Sequence, residues 1–229
     1  MSISENIAAV RETIENSCIR AGRDPREVLL LAVSKYVSTD RIEEAVAAGQ
    51  TAFGENHAQE IREKLTFFKQ HLCQVHFIGQ LQSNKIKYVC GETDLIHSVD
   101  RFSLAEQISR RAAARGCVQD ILIQVNIGDE PQKGGVGADD MLQLVEQAAA
   151  LDALRIRGLM CVPPDCGHEE VRAYFRKMRS LFEKAASAFP ELPIDTLSMG
   201  MSHDYDVAVE EGATIVRVGT AIFGARDRK

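Results

Sequence analysis

Leu29-Leu30-Leu31-Ala32-Val33-Ser34-Lys35 carries an unbroken apolar run straight into a lysine. A run of this kind reads as a strand covered on both faces, the signature of a parallel sheet, although a buried helix segment shares the pattern. Lys35 then stands at the C-terminal end of the strand, the edge at which parallel α/β folds place their ligands. An amine half buried there loses hydration and becomes a better nucleophile toward carbonyls. Read alone, a strand-end lysine is better explained as one that snorkels out of the sheet.

The same order of strand, polar end and helix recurs on either side. Upstream, Ile7, Val10, Ile14, Cys18 and Ala21 return at three- and four-residue steps until Gly22, which predicts an amphipathic opening helix over Ile3–Ala21. Downstream, Ser38-Thr39-Asp40 offers capping oxygens to a helix carrying Ile42, Ala45, Val46 and Gly49, and 51–54 reads as the second strand. Further strands are expected at 75–79, 95–99, 121–126, 156–160, 196–200 and 214–219, with helices at 58–71, 101–116, 141–151, 169–188 and 207–211. Eight strands alternating with helices in 229 residues predict an α/β fold, a single (β/α)8 TIM barrel with an extra N-terminal helix, forming one domain over 1–229. An open doubly wound sheet is the alternative. The most loop-like segment is 128–137, with Pro131, Lys133, Gly134 and Gly135, on the face where a barrel keeps its site.

With 45% hydrophobic and 26% charged residues the chain can bury one large core. Its net charge of −6 gives no electrostatic grip on nucleic acid. The scattered basic residues Lys85, Lys87, Arg110 and Arg111 read as solvated helix faces. Residues 1–12 include Glu5, Arg11 and Glu12 and lack the apolar block of a signal peptide, and no later stretch approaches a membrane span, so a cytoplasmic location without membrane contact is expected. The cysteines form no C-x-x-C pair. Cys161, Cys166 and His168 lie close enough to raise a metal site, but Pro163-Pro164 intervenes and no fourth ligand is evident, so no metal is expected.

In a barrel the residues just past each strand converge on one mouth. Here they are Lys35, Asn56, Gln80 with Ser83-Asn84-Lys85, Ser98 with Asp100, Asn126, Met160, Ser198 to Ser202, and Arg217 to Thr220. Gly200-Met201-Ser202 and Gly219-Thr220 follow strands seven and eight, the two loops that most often bind phosphate in this fold, where glycines admit backbone N–H groups and hydroxyls add donors. Each pair on its own is also what a simple turn needs. A carbonyl-reactive lysine facing a phosphate cradle is the arrangement pyridoxal 5′-phosphate (PLP) requires, the lysine forming a Schiff base and the cradle holding the far end. Strand alternation puts Ile215, Arg217 and Gly219 on one face, so an inward Arg217 reaches either the ring or an ion pair inside the barrel.

Taken together, Ala32-Val33-Ser34-Lys35, Phe53-Gly54-Glu55-Asn56, the run from His76 to Lys85, Leu197-Ser198-Met199-Gly200-Met201-Ser202 and the run from Val216 to Gly224 resemble the pyridoxal phosphate homeostasis protein family over nearly the whole chain. The resemblance implies a fold-type III barrel with the cofactor on Lys35, phosphate contacts from Ser202, Gly219 and Thr220, and Arg217 near the pyridine nitrogen. The full expected cofactor-binding set is Lys35, Asn56, Met199, Gly200, Ser202, Arg217, Gly219 and Thr220, with no catalytic residue assigned. Tyr36-Val37-Ser38, His57 and Gln80 depart from the family's usual residues and bear on the shape of the mouth.

Two functions follow from the resemblance. The first is a non-enzymatic PLP-binding protein for intracellular storage, buffering and supply of the cofactor to PLP-dependent apo-enzymes, acting as a monomer. The alternative is an amino-acid racemase, which needs two bases on opposite faces of the substrate carbon, one of them a tyrosine from a partner's C-terminal β-domain in the fold-type III racemases. The chain ends at Lys229 soon after strand eight, so such a domain is not expected.

Overall fold

The computed structural model describes residues 2–130 and 133–225. Pro131 of the predicted loop and the final residue Lys229 lie outside them. Helix α1 (Ile3–Ala21) starts at Ser2, whose hydroxyl accepts from the Glu5 amide while the Glu5 carboxylate takes the Ser2 N–H, a reciprocal capping box. It ends at Gly22, whose φ of 66° suits a residue without a side chain. Its buried face, Ile7, Val10, Ile14 and Cys18, is the periodic stripe of the sequence, each large apolar side chain contributing about 1.5–3 kcal/mol on burial.

Strands and helices then alternate as β1 (Leu29–Val33), α2 (Thr39–Ala47), β2 (Ala52–Glu55), α3 (Ala58–Gln70), β3 (Gln74–Phe77), α4 (Ile86–Val89), β4 (Leu95–Val99) and α5 (Phe102–Ala114). The second half follows as β5 (Gln119–Val125), α6 (Met141–Ala149), β6 (Leu154–Cys161), α7 (His168–Ala188), β7 (Thr196–Ser198), α8 (Tyr205–Glu210), β8 (Ile215–Val218) and α9 (Thr220–Phe223). The strands run parallel in chain order, and β8 closes on β1 with Leu31 beside Arg217, so the sheet is a closed barrel and the open alternative is excluded. Leu31, Ala52, Leu95, Leu122, Met160 and Ile215 fill its interior, while residues of the opposite strand faces, such as Val216 and Val218, join the larger layer under the helices.

Several boundaries differ from the sequence reading for identifiable reasons. Strand one stops at Val33 rather than Lys35, because Ser34 turns its hydroxyl to Glu55 and Tyr36 takes a left-handed φ of 62°. Lys35 therefore sits in the turn beyond the strand. Strand seven stops at Ser198, since Gly200 adopts a φ of 92° and a side chain there would run into Ala208 and Tyr205. Ser38 occupies the N-cap of α2 without a side-chain hydrogen bond. A 3-10 turn at Ser83–Lys85 and the short α4 fill the β3–β4 connection, where no helix was expected.

Candidate functional site

The C-terminal end of the barrel brings most of the predicted residues together. Lys35 is half-buried in the turn after β1, and its neighbours are braced from below. Lys64 of α3, itself buried, donates to the Ser34 carbonyl at 2.8 Å, to Glu55 Oε1 at 2.9 Å and to Glu60 Oε2 at 2.7 Å. Ser34 Oγ donates to the same Glu55 oxygen at 2.7 Å, and the Tyr36 amide donates to Glu60 Oε2 at 2.7 Å. Lys35 is thus held between two fixed residues. Burial pushes the Glu55 carboxyl above its ordinary range, against the opposing pull of Lys64 and Ser34.

Asn56 follows β2 with its Oδ1 buried and without a hydrogen-bond partner. Its position is set by Gly79, because a Cβ there would collide with the Asn56 carbonyl. Ser98, at the end of β4, likewise buries an Oγ that has no partner. Unpaired buried polar atoms are uncommon, and two at one barrel mouth mark a place for a polar ligand. Asn126 instead braces its own loop, donating to the carbonyls of Glu130 and Lys133, while Gln124 holds Gly134. Gln80 and Ser83 to Lys85 are exposed.

Across the mouth, the loops after β7 and β8 meet. Ser202 Oγ accepts from the Gly219 amide at 3.2 Å and from the Ala221 amide at 3.5 Å, which gathers a hydroxyl, backbone N–H groups and the neighbouring Thr220 at one point. The Gly200 carbonyl accepts from the Arg217 amide at 3.0 Å and locks the two loops together. A cavity of about 230 Å³ adjoins this cradle, lined by Val37, Ser38, Arg41, Gly219 and Phe223 among others, but not by Lys35, Ser202 or Arg217. Met199 stands apart from the others: its side chain is fully buried in the layer under the helices.

Arg217 is buried on the inner face and donates to Ser198 Oγ at 2.6 Å and to the Cys161 carbonyl at 2.9 Å. Among the described residues no carboxylate lies within ion-pair distance of it, so the ion-pair alternative is not realised. Burial lowers its pKa from the usual arginine value. A desolvated guanidinium with spare donors, offset by Asp204 from beyond ion-pair distance, is costly, and it fits a site completed by an acceptor on a ligand. The lysine, the anion cradle and the arginine thus suit a ligand with an aldehyde, a phosphate and a ring acceptor.

Cys161 and His168 serve other ends. The Cys161 thiol is buried and pushed up to about 12 by that burial, and His168 pairs with Asp206 at 3.1 Å. The brace of Ser34, Glu55, Glu60 and Lys64 was not foreseen, nor was Ser98 as an unpaired group. Glu55 lies inside a motif, whereas Lys64, four residues after Glu60, reads as an ordinary exposed helix pair.

The chain is similar along its whole length to known proteins. Residues 3–227 match the family model for the alanine racemase N-terminal domain. The pyridoxal phosphate homeostasis protein of Aquifex aeolicus is 44% identical over 227 residues, covering 99% of each chain. That of Pasteurella multocida is 43% identical over 230 residues, again covering 99% of each. The structure of PipY from Synechococcus elongatus with PLP bound superposes with a TM-score of 0.85 at 37% identity, covering 97% of this chain and 100% of that one.

Proposed function

The chain belongs to the alanine racemase N-terminal domain family, among the pyridoxal phosphate homeostasis proteins, and from that premise we propose that it binds PLP covalently through Lys35 and serves its storage, buffering and supply rather than a reaction of its own. The observation that carries this reading is the buried Arg217 on the inner face of β8, without an ion-pair partner among the described residues, two residues before Gly219 of the Ser202–Gly219 cradle. When bound, the cofactor supplies an electrophilic aldehyde and an electron-withdrawing ring. Lys35 provides the amine for the aldehyde carbon. Ser202, Gly219 and Thr220 take the phosphate, Gly200 supplies the close backbone approach, and Asn56, after β2, offers an unpaired acceptor. Met199 contributes through its main chain and its packing.

Arg217 also limits chemistry. An arginine remains a cation, so beside the ring nitrogen it disfavours protonation there and weakens the ring as an electron sink. Lys35 offers an amine on one face of the cofactor, and no second base is assigned on the other. The protein acts in the cytoplasm as a monomer and hands the cofactor to PLP-dependent apo-enzymes. No helix among the described residues is long and apolar enough to cross a membrane. The test is to incubate the PLP-loaded protein with L-alanine in deuterated water and follow the α-proton by NMR. Exchange far below ordinary turnover, which is about 1–1000 per second, is expected. Exchange with D-alanine formation at such rates would establish the racemase instead.

A further inference from the structure

Behind Arg217 a line of polar side chains crosses the apolar interior of the barrel. Ser198 Oγ accepts from Arg217 at 2.6 Å and lies 3.0 Å from His97 Nδ1; His97 Nε2 lies 3.0 Å from His76 Nδ1. All three residues are buried, and His76 lines a cavity of about 600 Å³ at the N-terminal end of the barrel. The line therefore runs from the candidate cofactor site to the opposite end of the fold.

The donors can be ordered by elimination. Arginine only donates, so Ser198 Oγ is an acceptor toward it. The hydroxyl proton then needs an acceptor, and His97 Nδ1 is the partner left for it. A proton on His97 Nδ1 would leave the Ser198 proton with no partner in a buried site, at the full desolvation cost of an unmade hydrogen bond. His97 is accordingly neutral with its proton on Nε2, directed at His76 Nδ1, and His76 carries its proton on Nε2, toward the N-terminal cavity. Every bond in the line then points the same way, and each donor strengthens the next.

We propose that Ser198, His97 and His76 are positioning residues that hold the Arg217 guanidinium in place for the ring nitrogen of the cofactor, a role that rests on the PLP reading given above. The line supplies neutral acceptors only. A carboxylate at the same place would cancel the charge of Arg217, whereas a hydroxyl backed by neutral imidazoles anchors the guanidinium and leaves that charge whole. The Cys161 carbonyl is the second anchor, so loss of Ser198 frees one nitrogen of the guanidinium without releasing the group.

Two measurements test this separately from PLP binding itself. Imidazole nitrogen NMR of the ligand-free wild type should show the Nε2–H tautomer for both His97 and His76; an Nδ1–H tautomer on His97 would overturn the proposed line whether or not PLP binds. In the PLP-loaded protein, Ser198→Ala and His97→Leu should keep the cofactor on Lys35 but shift its absorption maximum and give that maximum a pH dependence absent from the wild type. Affinity should fall only about 2- to 10-fold, the scale of one modest hydrogen bond. His97→Gln, which can accept from Ser198 and donate to His76, should restore the wild-type spectrum. An unchanged spectrum and pH profile in Ser198→Ala would overturn the positioning role, whereas a wild type that takes up no PLP would overturn the PLP reading and leave the tautomer test to decide the line.

Discussion

The two ends of the barrel are furnished with the same kinds of side chain and use them in opposite ways. At the N-terminal end the charges are settled among themselves: Asp120 forms ion pairs with Arg155 at 3.2 Å and Arg157 at 3.0 Å, Arg157 also pairs with Asp195 at 2.6 Å, and Asp94 takes the Val75 amide at 2.7 Å. At the C-terminal end Arg217 has no carboxylate partner among the described residues, and Asn56 and Ser98 each bury an unpaired oxygen. Yet a cavity of about 600 Å³ opens at the N-terminal end, against about 230 Å³ between Ser38 and Gly219. Unfinished polarity, and not volume, marks the site in this molecule. The settled end serves the stability of the barrel.

The largest effect should come from the buried charge cluster of the C-terminal end, the brace beneath Lys35. Lys64→Met strands the buried Glu55 carboxylate and should cost about 3–5 kcal/mol of stability, read from the denaturant midpoint. A loss below about 1 kcal/mol would mean that the cluster is solvated and does not fix the turn.

Next is the cradle itself. Ser202→Ala should weaken PLP binding by about 1 to 3 kcal/mol, or roughly 5- to 150-fold, with little change in stability. Unchanged affinity in a fluorescence titration would move the phosphate away from the β7 and β8 loops.

Between the two ends lie His76 and His97. Burial lowers the His76 pKa to about 4, and burial, with the nearby His76 and Arg217, holds His97 well below its usual value of 6.5. Below pH 6.5 the unfolded chain therefore binds protons that the native state refuses, so their contribution to stability is present above 6.5 and is lost as pH falls toward about 4. Each histidine should remove up to about 1.4 kcal/mol per pH unit in that window. His76→Gln should flatten the fall in denaturant midpoint between pH 7.5 and 5.5 relative to wild type; an identical slope would show that His76 takes up its proton at the same pH in the folded and unfolded chain.

The smallest effect belongs to the N-terminal end. Arg157→Gln breaks a partly exposed pair network and should change stability by about 0–1 kcal/mol while leaving PLP affinity untouched. A clear loss of affinity there would break the contrast between the two ends.

How much of this could be read from the chain depends on how local the cause is. The eight strands were legible because each is a short apolar run with a polar end, and the inward direction of Arg217 followed from simple alternation about β8. The same alternation, with Ser198 inward, turns the Met199 side chain away from the mouth. Helices α4 and α9 are too short to show a period and were missed. The brace and the histidine line exist only after closure. Lys64 reaches Ser34 because α3 packs beneath the β1 turn, and His97 meets Ser198 across the barrel interior, 101 positions away in the chain.

The central claim, that Lys35 is the residue to which the cofactor is joined, has a direct test. The protein is loaded with PLP, reduced with borohydride, digested and analysed by mass spectrometry. A stable pyridoxyl group on Lys35, absent from the Lys35→Ala variant even though that variant still binds PLP more weakly through Ser202 and Gly219, is the expected result. Label on another lysine such as Lys85, or no label at all, would contradict it.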